Sequence, residues 1–96
     1  MRRCYLVFYD VRDPRRLRRV FKVMKGYGEH WQFSVFFCIL KDIDRVRMQV
    51  DLEAEMNLKE DQALVVDLGP DEEAARKAAT VIGQPLPQVE DRMIVI

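Results

Sequence analysis

The first hydrophobic segment of the chain is the short run CYLVFY, which ends at Asp10. Such a run, rich in β-branched and aromatic residues, is too short for an independent helix and predicts a buried strand. Asp13 and Pro14 then supply an N-cap and a first helical residue, so we expect a helix to begin there. Its apolar residues recur at helical spacing and form one stripe for burial: Leu17, Val20, Phe21 and Met24.

Glycine and alternation mark the end of this helix and the strands that follow. We expect Gly26 and Gly28 to end the helix by adopting positive φ. From 29 to 40 apolar and polar residues alternate. This period predicts two short strands joined near Phe33 and Ser34.

The second half of the chain predicts further helices and strands. Asp42 can cap a helix that extends to about Met56 and has one apolar side. The residues of that side are Ile43, Val46, Val50 and Ala54. We expect a strand over 62–68, a short helix over 72–81 and, after a proline-containing loop, an apolar strand at 93–96.

This order of elements is typical of the α+β split βαβ, or ferredoxin-like, plan: an antiparallel sheet with two helices on one face. Because the strands carry aromatic residues in both directions, with Phe36 and Phe37 adjacent, the second face should also be covered. We therefore expect a homodimer. We also expect residues 1–96 to form one domain, in which the loop and strand of 83–96 dock on a sheet edge of the same chain or of its partner.

Composition sets the class of protein. A chain of 96 residues, 49% hydrophobic and 33% charged, suits one folded domain. No apolar run is long enough to cross a bilayer, so we expect neither a membrane span nor a secretory signal. Cys4 and Cys38 lie inside apolar runs without metal or disulfide spacing, which favours free thiols in the reducing cytoplasm.

The net charge of zero hides a strong asymmetry along the chain. Residues 1–30 carry nine basic and three acidic residues, a net charge of +6, and residues 31–96 carry −6. Five arginines fall within eight residues: Arg12, Arg15, Arg16, Arg18 and Arg19. Such a cluster favours binding of a nucleic-acid backbone, and the alternative is an ordinary solvated helix face.

Asp10 is the leading candidate for chemistry, because a carboxylate at a strand end beside a helix start can reach both a metal ion and a phosphate. The alternative is a cap or turn residue, although Asp13 already accounts for the cap. Mg²⁺ needs only one or two carboxylates besides water and phosphate, so two copies of Asp10 in a twofold dimer would suffice. His30, the single histidine, is interpreted as a packed or surface residue.

Three segments in this order resemble a known family: LVFYDVRDPRRLRRV, then Gly26-Tyr27-Gly28, then Gln32-Phe33-Ser34-Val35-Phe36. They are similar to the small CRISPR-associated endoribonuclease family, the second Cas protein (Cas-two). The resemblance covers about residues 4–40 specifically and 62–68 in outline.

The resemblance implies a ferredoxin-like homodimer whose paired aspartates, here Asp10, hold Mg²⁺ for phosphodiester hydrolysis. It also implies a role in CRISPR spacer acquisition, in which the dimer sits between integrase dimers of the first Cas protein and holds double-stranded DNA. Tyr9 and Ser34 match positions near the metal, and Phe36 belongs to the same motif as a supporting residue. The arginines that match the family's nucleic-acid-binding helix are Arg15, Arg16, Arg18 and Arg19.

The sequence is compatible with three functions. The first is a metal-dependent endonuclease that cleaves single-stranded RNA, double-stranded DNA or both in antiviral defence, with Asp10 as its catalytic residue. The second is a non-catalytic adaptor that holds DNA for the CRISPR integrase. The third is a toxin-type ribonuclease of the same fold.

Overall fold

A computed structural model describes residues 1–87 of the chain. Four strands and three helices succeed one another as β1 Arg2–Asp10, α1 Pro14–Lys25, β2 Gly28–Gln32, β3 Val35–Lys41, α2 Asp42–Glu55, β4 Gln62–Gly69 and α3 Glu72–Lys77. The predicted strand at 93–96 lies outside the described residues, as does most of the segment 83–96. None of the helices within residues 1–87 is long and apolar enough to cross a membrane.

The strands form one sheet in the order β2-β3-β1-β4. Strand β1 lies in the middle and pairs antiparallel with both β3 and β4, and β2 pairs antiparallel with β3. The hairpin turns at Phe33 and Ser34, as the alternation predicts. The predicted α+β class with an antiparallel sheet is therefore confirmed.

The main core lies between the sheet and the two long helices. Alternate residues of the central strands, such as Val7 of β1 and Phe36 of β3, point into it and are fully buried. Helix α1 contributes Val20 and Met24, and helix α2 contributes Met48 and Leu52, a set that the sequence pattern only half predicts.

The opposite face of the sheet has a smaller cover. Here Cys4 and Phe37 pack against Ala75 of α3, with Leu6, Trp31, Ile39 and Leu68 around them. The short helix α3 thus lies on the face away from α1 and α2. Part of this face stays in solvent, because Leu64 of β4 is 56% exposed.

Two local predictions are corrected. Gly26 caps α1 with φ of −80°, and Gly28 lies in β2, where a Cβ atom would come within 2.5 Å of the Cys38 Sγ and the Phe37 carbonyl oxygen. These glycines therefore serve ordinary capping and close strand contact, and not positive φ. The expected apolar side of α2 faces solvent, since Ile43, Val46 and Val50 are all more than half exposed.

Candidate nucleic-acid interface and metal site

Asp10 is the last residue of the central strand β1 and pairs in register with Gln62 of β4. Its side chain is exposed and makes no hydrogen bond or ion pair within residues 1–87. Alternation along β1 places Asp10 on the face of the sheet that carries Cys4 and Leu6, away from α1 and α2. The strand end therefore presents a free carboxylate on the less covered face.

The loop after Asp10 is fixed by a carboxylate that the sequence does not single out. The Asp61 side chain is fully shielded from solvent and accepts hydrogen bonds from the backbone N–H groups of Arg12 and Asn57. It also accepts from the Arg16 guanidinium, with an Nε–Oδ2 distance of 2.8 Å. Asp61 thus ties the start of β4 to the segment that joins β1 to α1.

This contact also fixes the charge state of both partners. The hydrogen bond from the Arg16 guanidinium holds the pKa of the Asp61 carboxyl well below its usual range, and the same bond raises the pKa of Arg16. Arg16 further contacts Glu60 at 3.0 Å. Of the five predicted nucleic-acid-binding arginines, Arg16 therefore has its guanidinium occupied by protein carboxylates.

The other four arginines of the cluster are available. They are exposed, and their guanidinium groups have no ion-pair partner in the part of the chain that the structure describes: Arg12, Arg15, Arg18 and Arg19. Along α1 the exposed Lys22 and Lys25 continue the line of Arg15 and Arg18. The solvent side of α1 is thus a row of cations, and such a row can follow a phosphate backbone.

The three supporting residues lie on the helix side of the sheet. Tyr9 is buried, and burial raises the pKa of its hydroxyl to about 12, partly opposed by the hydrogen bond with Ser34. The Tyr9 N–H donates to the Ser34 carbonyl oxygen at 3.1 Å. Phe36 is fully buried in the core and stacks near Tyr9. Because Asp10 points to the other face, these residues pack beneath the strand end on the opposite side of the sheet and do not contact the Asp10 carboxylate.

The described side chains could hold Mg²⁺ in only one way, through one or two carboxylates that leave the other ligand positions to water and phosphate. Within residues 1–87 no group of three or more His, Cys, Asp or Glu side chains could hold a metal ion. Mg²⁺ is commonly held by one or two carboxylates with water and phosphate oxygens as its remaining ligands. Asp10, exposed and without a protein partner, suits that mode, whereas Asp61 is already committed to Arg16.

Residues 2–84 of the chain match the protein family described as CRISPR associated protein Cas2. The chain belongs to this family. The resemblance seen in the motifs is therefore confirmed. The match also extends through β4 and α3, where the motifs give only an outline.

Curated Cas2 relatives cover nearly the whole chain. The CRISPR-associated endoribonuclease Cas2 1 of Rhodospirillum rubrum is 40% identical over 92 residues, which span 96% of this chain and 89% of the relative. The CRISPR-associated endoribonuclease Cas2 of Geobacter sulfurreducens is 41% identical over 81 residues, which span 84% of this chain and 85% of the relative.

Solved structures share the fold. The crystal structure of Streptococcus pyogenes Cas2 matches 83% of this chain and 99% of its own with a TM-score of 0.74 at 29% identity. A hypothetical protein from Thermus thermophilus matches 92% of this chain and 98% of its own with a TM-score of 0.77 at 25% identity. The Cas2 fold and the Cas2 sequence pattern therefore coincide in this chain.

Sequence reasoning missed two parts of this region. Nothing local marks Asp61 as the partner of Arg16, because the two residues are 45 positions apart. The motifs also did not predict a cleft beside α1, to which His30 and Phe33 contribute. The sequence gives only a partial indication of the cleft, namely the aromatic residues that follow the basic helix.

Proposed function

We propose that this Cas2 protein is a metal-dependent endonuclease of CRISPR spacer acquisition and antiviral defence, with Asp10 as the catalytic and metal-binding residue. The observation that supports this proposal is the exposed, unpartnered carboxylate of Asp10 at the end of β1, directly before the segment 12–19, which carries four available arginines. The name of the curated relatives, CRISPR-associated endoribonuclease, favours RNA as one substrate. Double-stranded DNA is the other candidate.

The proposed active form is a ferredoxin-like homodimer in the cytoplasm that works with the CRISPR integrase, the first Cas protein. The strand order β2-β3-β1-β4 and the two helices on one face support the ferredoxin-like plan. The partly exposed apolar face that carries Leu64 and Val66 supports a second copy as its cover. Asp10 lies on this same face, so pairing the two copies there would also bring in Asp10 of the partner subunit.

The chemistry assigns separate tasks to the carboxylate and the cations. Bound Mg²⁺ would supply Lewis-acid activation of water and stabilise charge on the phosphate. Asp10 would hold the ion, and the exposed guanidinium groups of Arg12, Arg15 and Arg19 would orient the phosphodiester backbone by paired N–H donation. The Asp61–Arg16 contact would hold the loop that joins these groups to the strand end.

A second candidate is the non-catalytic adaptor, which holds double-stranded DNA for the integrase. One observation favours it: each chain offers a row of cations along α1, yet within residues 1–87 no carboxylate cluster able to hold a metal. The toxin-type ribonuclease, the third possibility in the sequence, has no separate support from the described residues.

Cleavage by wild-type protein and by Asp10→Asn, with Mg²⁺ and with a chelator, tests the proposal. Single-stranded RNA and double-stranded DNA are the two substrates, and duplex binding is measured in parallel. We expect Asp10→Asn to lower cleavage at least about 100-fold, because the amide is a poor ligand for Mg²⁺, while folding and binding persist. Asp42→Asn, an exposed aspartate at the start of α2, is the matched control and should cleave normally.

Two outcomes would contradict the nuclease. Undiminished cleavage by Asp10→Asn would remove Asp10 from the chemistry. A folded wild-type protein that binds duplex DNA but cleaves neither substrate with Mg²⁺ would replace the nuclease by the adaptor.

A further inference from the structure

A cleft of about 490 Å³ lies between α1 and the β2–β3 hairpin. Leu17 and Phe21 of α1 form one wall, and they are the half of the helix's apolar stripe that the core leaves partly uncovered. Tyr9, Ser34 and His30 form the opposite side. The volume falls within the range of about 300–1,000 Å³ that is usual for small-ligand sites.

The interior of the cleft is aromatic and held in place. The His30 ring meets Phe21 edge to face, with centroids 4.9 Å apart, and lies 4.9 Å from the ring centroid of Phe36 beneath it. His30 Nε2 lies 2.9 Å from the Phe33 carbonyl oxygen, and since a carbonyl only accepts, Nε2 donates the proton. The hydrogen bond fixes the imidazole against the hairpin turn.

Phe33 stands at the mouth of the cleft. It occupies the tip of the hairpin and is 94% exposed, although its ring borders the cleft. An exposed phenylalanine ring beside a preformed aromatic wall offers a flat surface on which another ring can stack. The protein itself does not fill that position within residues 1–87.

The rim of the cleft is cationic. Arg18, Lys22 and Lys25 line it from α1, and none of the side chains that line it is acidic. Lys25 Nζ lies 5.6 Å from the centroid of the Phe21 ring, so positive charge and aromatic surface are in direct contact. The same three cations belong to the exposed row on α1. An occupant with an apolar, planar part and a negatively charged part therefore suits the cleft best.

We propose that this cleft binds an unpaired nucleobase of a single-stranded nucleic acid whose phosphates follow the cations of α1. A base offers two flat faces to Phe33 and His30, while its phosphates meet Arg18 and the lysines. Bases inside a duplex are stacked and paired, so they cannot enter without being flipped out. Because apolar and aromatic surface dominates the contact, the four bases should bind with little preference among them.

This inference rests on the proposed function only in requiring nucleic-acid binding along α1, and it is independent of cleavage at Asp10. The cleft lies on the helix side of the sheet, and Asp10 lies on the other. Binding in the cleft would therefore select single-stranded segments, overhangs or frayed ends without itself supplying the reaction.

Affinity measurements without Mg²⁺ test the inference, so that no probe is cleaved. The probes are an oligothymidine single strand, an abasic strand of the same length with the same phosphates, and a DNA duplex. Wild-type protein should bind oligothymidine about tenfold more tightly than the abasic strand, because base stacking on aromatic residues adds to the phosphate contacts. Phe33→Ala should lose most of this difference and leave abasic and duplex binding unchanged.

Ile82→Ala is the matched control, since Ile82 is 95% exposed but lies outside the cleft, and it should retain the tenfold difference. A strand with 5-iodouridine should crosslink on irradiation to the peptide that contains His30 and Phe33. Equal wild-type affinity for the oligothymidine and abasic strands would overturn the cleft proposal, and so would an equal loss of all three affinities in Phe33→Ala. Failure of the wild-type protein to bind any probe would instead remove the proposed function together with it.

Discussion

The two faces of the sheet are made of alternate residues of the same strands, yet they differ in what covers them. On one face, two helices of 12 and 14 residues bury Val7 and Phe36 completely. On the other, a helix of six residues covers Cys4 and Phe37 through Ala75. Strand alternation thus sets which residues share a face, but the connecting segments decide how deeply each face is buried.

The difference also separates the two proposed functional regions. The well-covered face carries Tyr9 and the aromatic cleft, and the thinly covered face carries Asp10 at the strand end. A thick core gives a rigid floor for a binding cleft, whereas a thin cover leaves room for a second subunit next to an exposed carboxylate.

The largest expected change in the free energy of unfolding comes from truncating a side chain in the core between the sheet and the two long helices. Met24→Ala should lower the free energy of unfolding by about 3 kcal/mol, because it leaves a cavity between α1 and the sheet. Leu64→Ala on the other face, where the side chain is 56% exposed, should cost less than about 0.5 kcal/mol in dilute protein. Urea unfolding measures both.

Repeating the unfolding measurements at several protein concentrations shows whether a second copy covers the face that carries Leu64. If Leu64→Ala loses stability only at high concentration, a second copy covers this face, as the homodimer proposal requires. Similar losses for Met24→Ala and Leu64→Ala in dilute protein would refute the contrast between the two faces.

The second-largest expected effect is a loss of folding stability at alkaline pH, caused mainly by ionisable groups buried in the core between the sheet and the two long helices. Burial raises the pKa of the Cys38 thiol to about 12, and burial also raises the pKa of the Tyr9 hydroxyl to about 12. Because the unfolded chain ionises first, at about pH 9 for the thiol, stability is complete below that pH and is lost as the pH rises towards 12. Each group contributes a slope of about 1.4 kcal/mol per pH unit within its own window.

Urea unfolding at a series of pH values from about 8 to about 11 checks this slope. Cys38→Ala should flatten the curve between about pH 9 and 10, where an unfolded thiol is already ionised and an unfolded tyrosine is still mostly protonated. Cys4→Ala, on the thinly covered face, should flatten it less. An unchanged slope in Cys38→Ala would show that the buried thiol is not the source of the loss.

The smallest expected change in stability comes from substitutions in α3, the short helix that covers the second face of the sheet. Arg76 of α3 contacts Glu29 at 2.7 Å, and its guanidinium carbon lies 4.6 Å from the ring centroid of Phe37. Because the side chain is partly exposed, Arg76→Ala should cost only about 1 kcal/mol. Lys77→Ala, which removes an exposed pair with Glu73, should cost less than about 0.5 kcal/mol. Thermal unfolding compares the two, and equal losses would deny Arg76 a role in covering this face.

Local signals explain why much of the fold could be predicted. Asp13 accepts hydrogen bonds from the N–H groups of Arg15 and Arg16, as expected of an N-cap before Pro14. The turn at Phe33 and Ser34 follows from the change in strand alternation, and the position of Asp10 follows from the end of an apolar run. Each of these features depends on residues within a few positions of one another.

The same reasoning failed where helix orientation matters. Periodicity assigned Ile43, Val46 and Val50 to one side of α2, but Met48 and Leu52 face the core instead. The apolar residues of α2 surround much of the helix, so their spacing alone does not select the buried side. Packing against α1 and β3 makes that choice.

Neighbouring residues encode the α+β class, the cap of α1, the strand end at Asp10 and the cluster of basic residues, so all four could be predicted from the sequence alone. The folded chain, in contrast, pairs Arg16 with Asp61, places α3 across the sheet from α1, and brings His30 and Phe33 into a cleft beside the cations. These features depend on contacts between segments distant in the chain. Local periodicity specifies which residues share a face, whereas the packing of the whole domain selects what that face packs against.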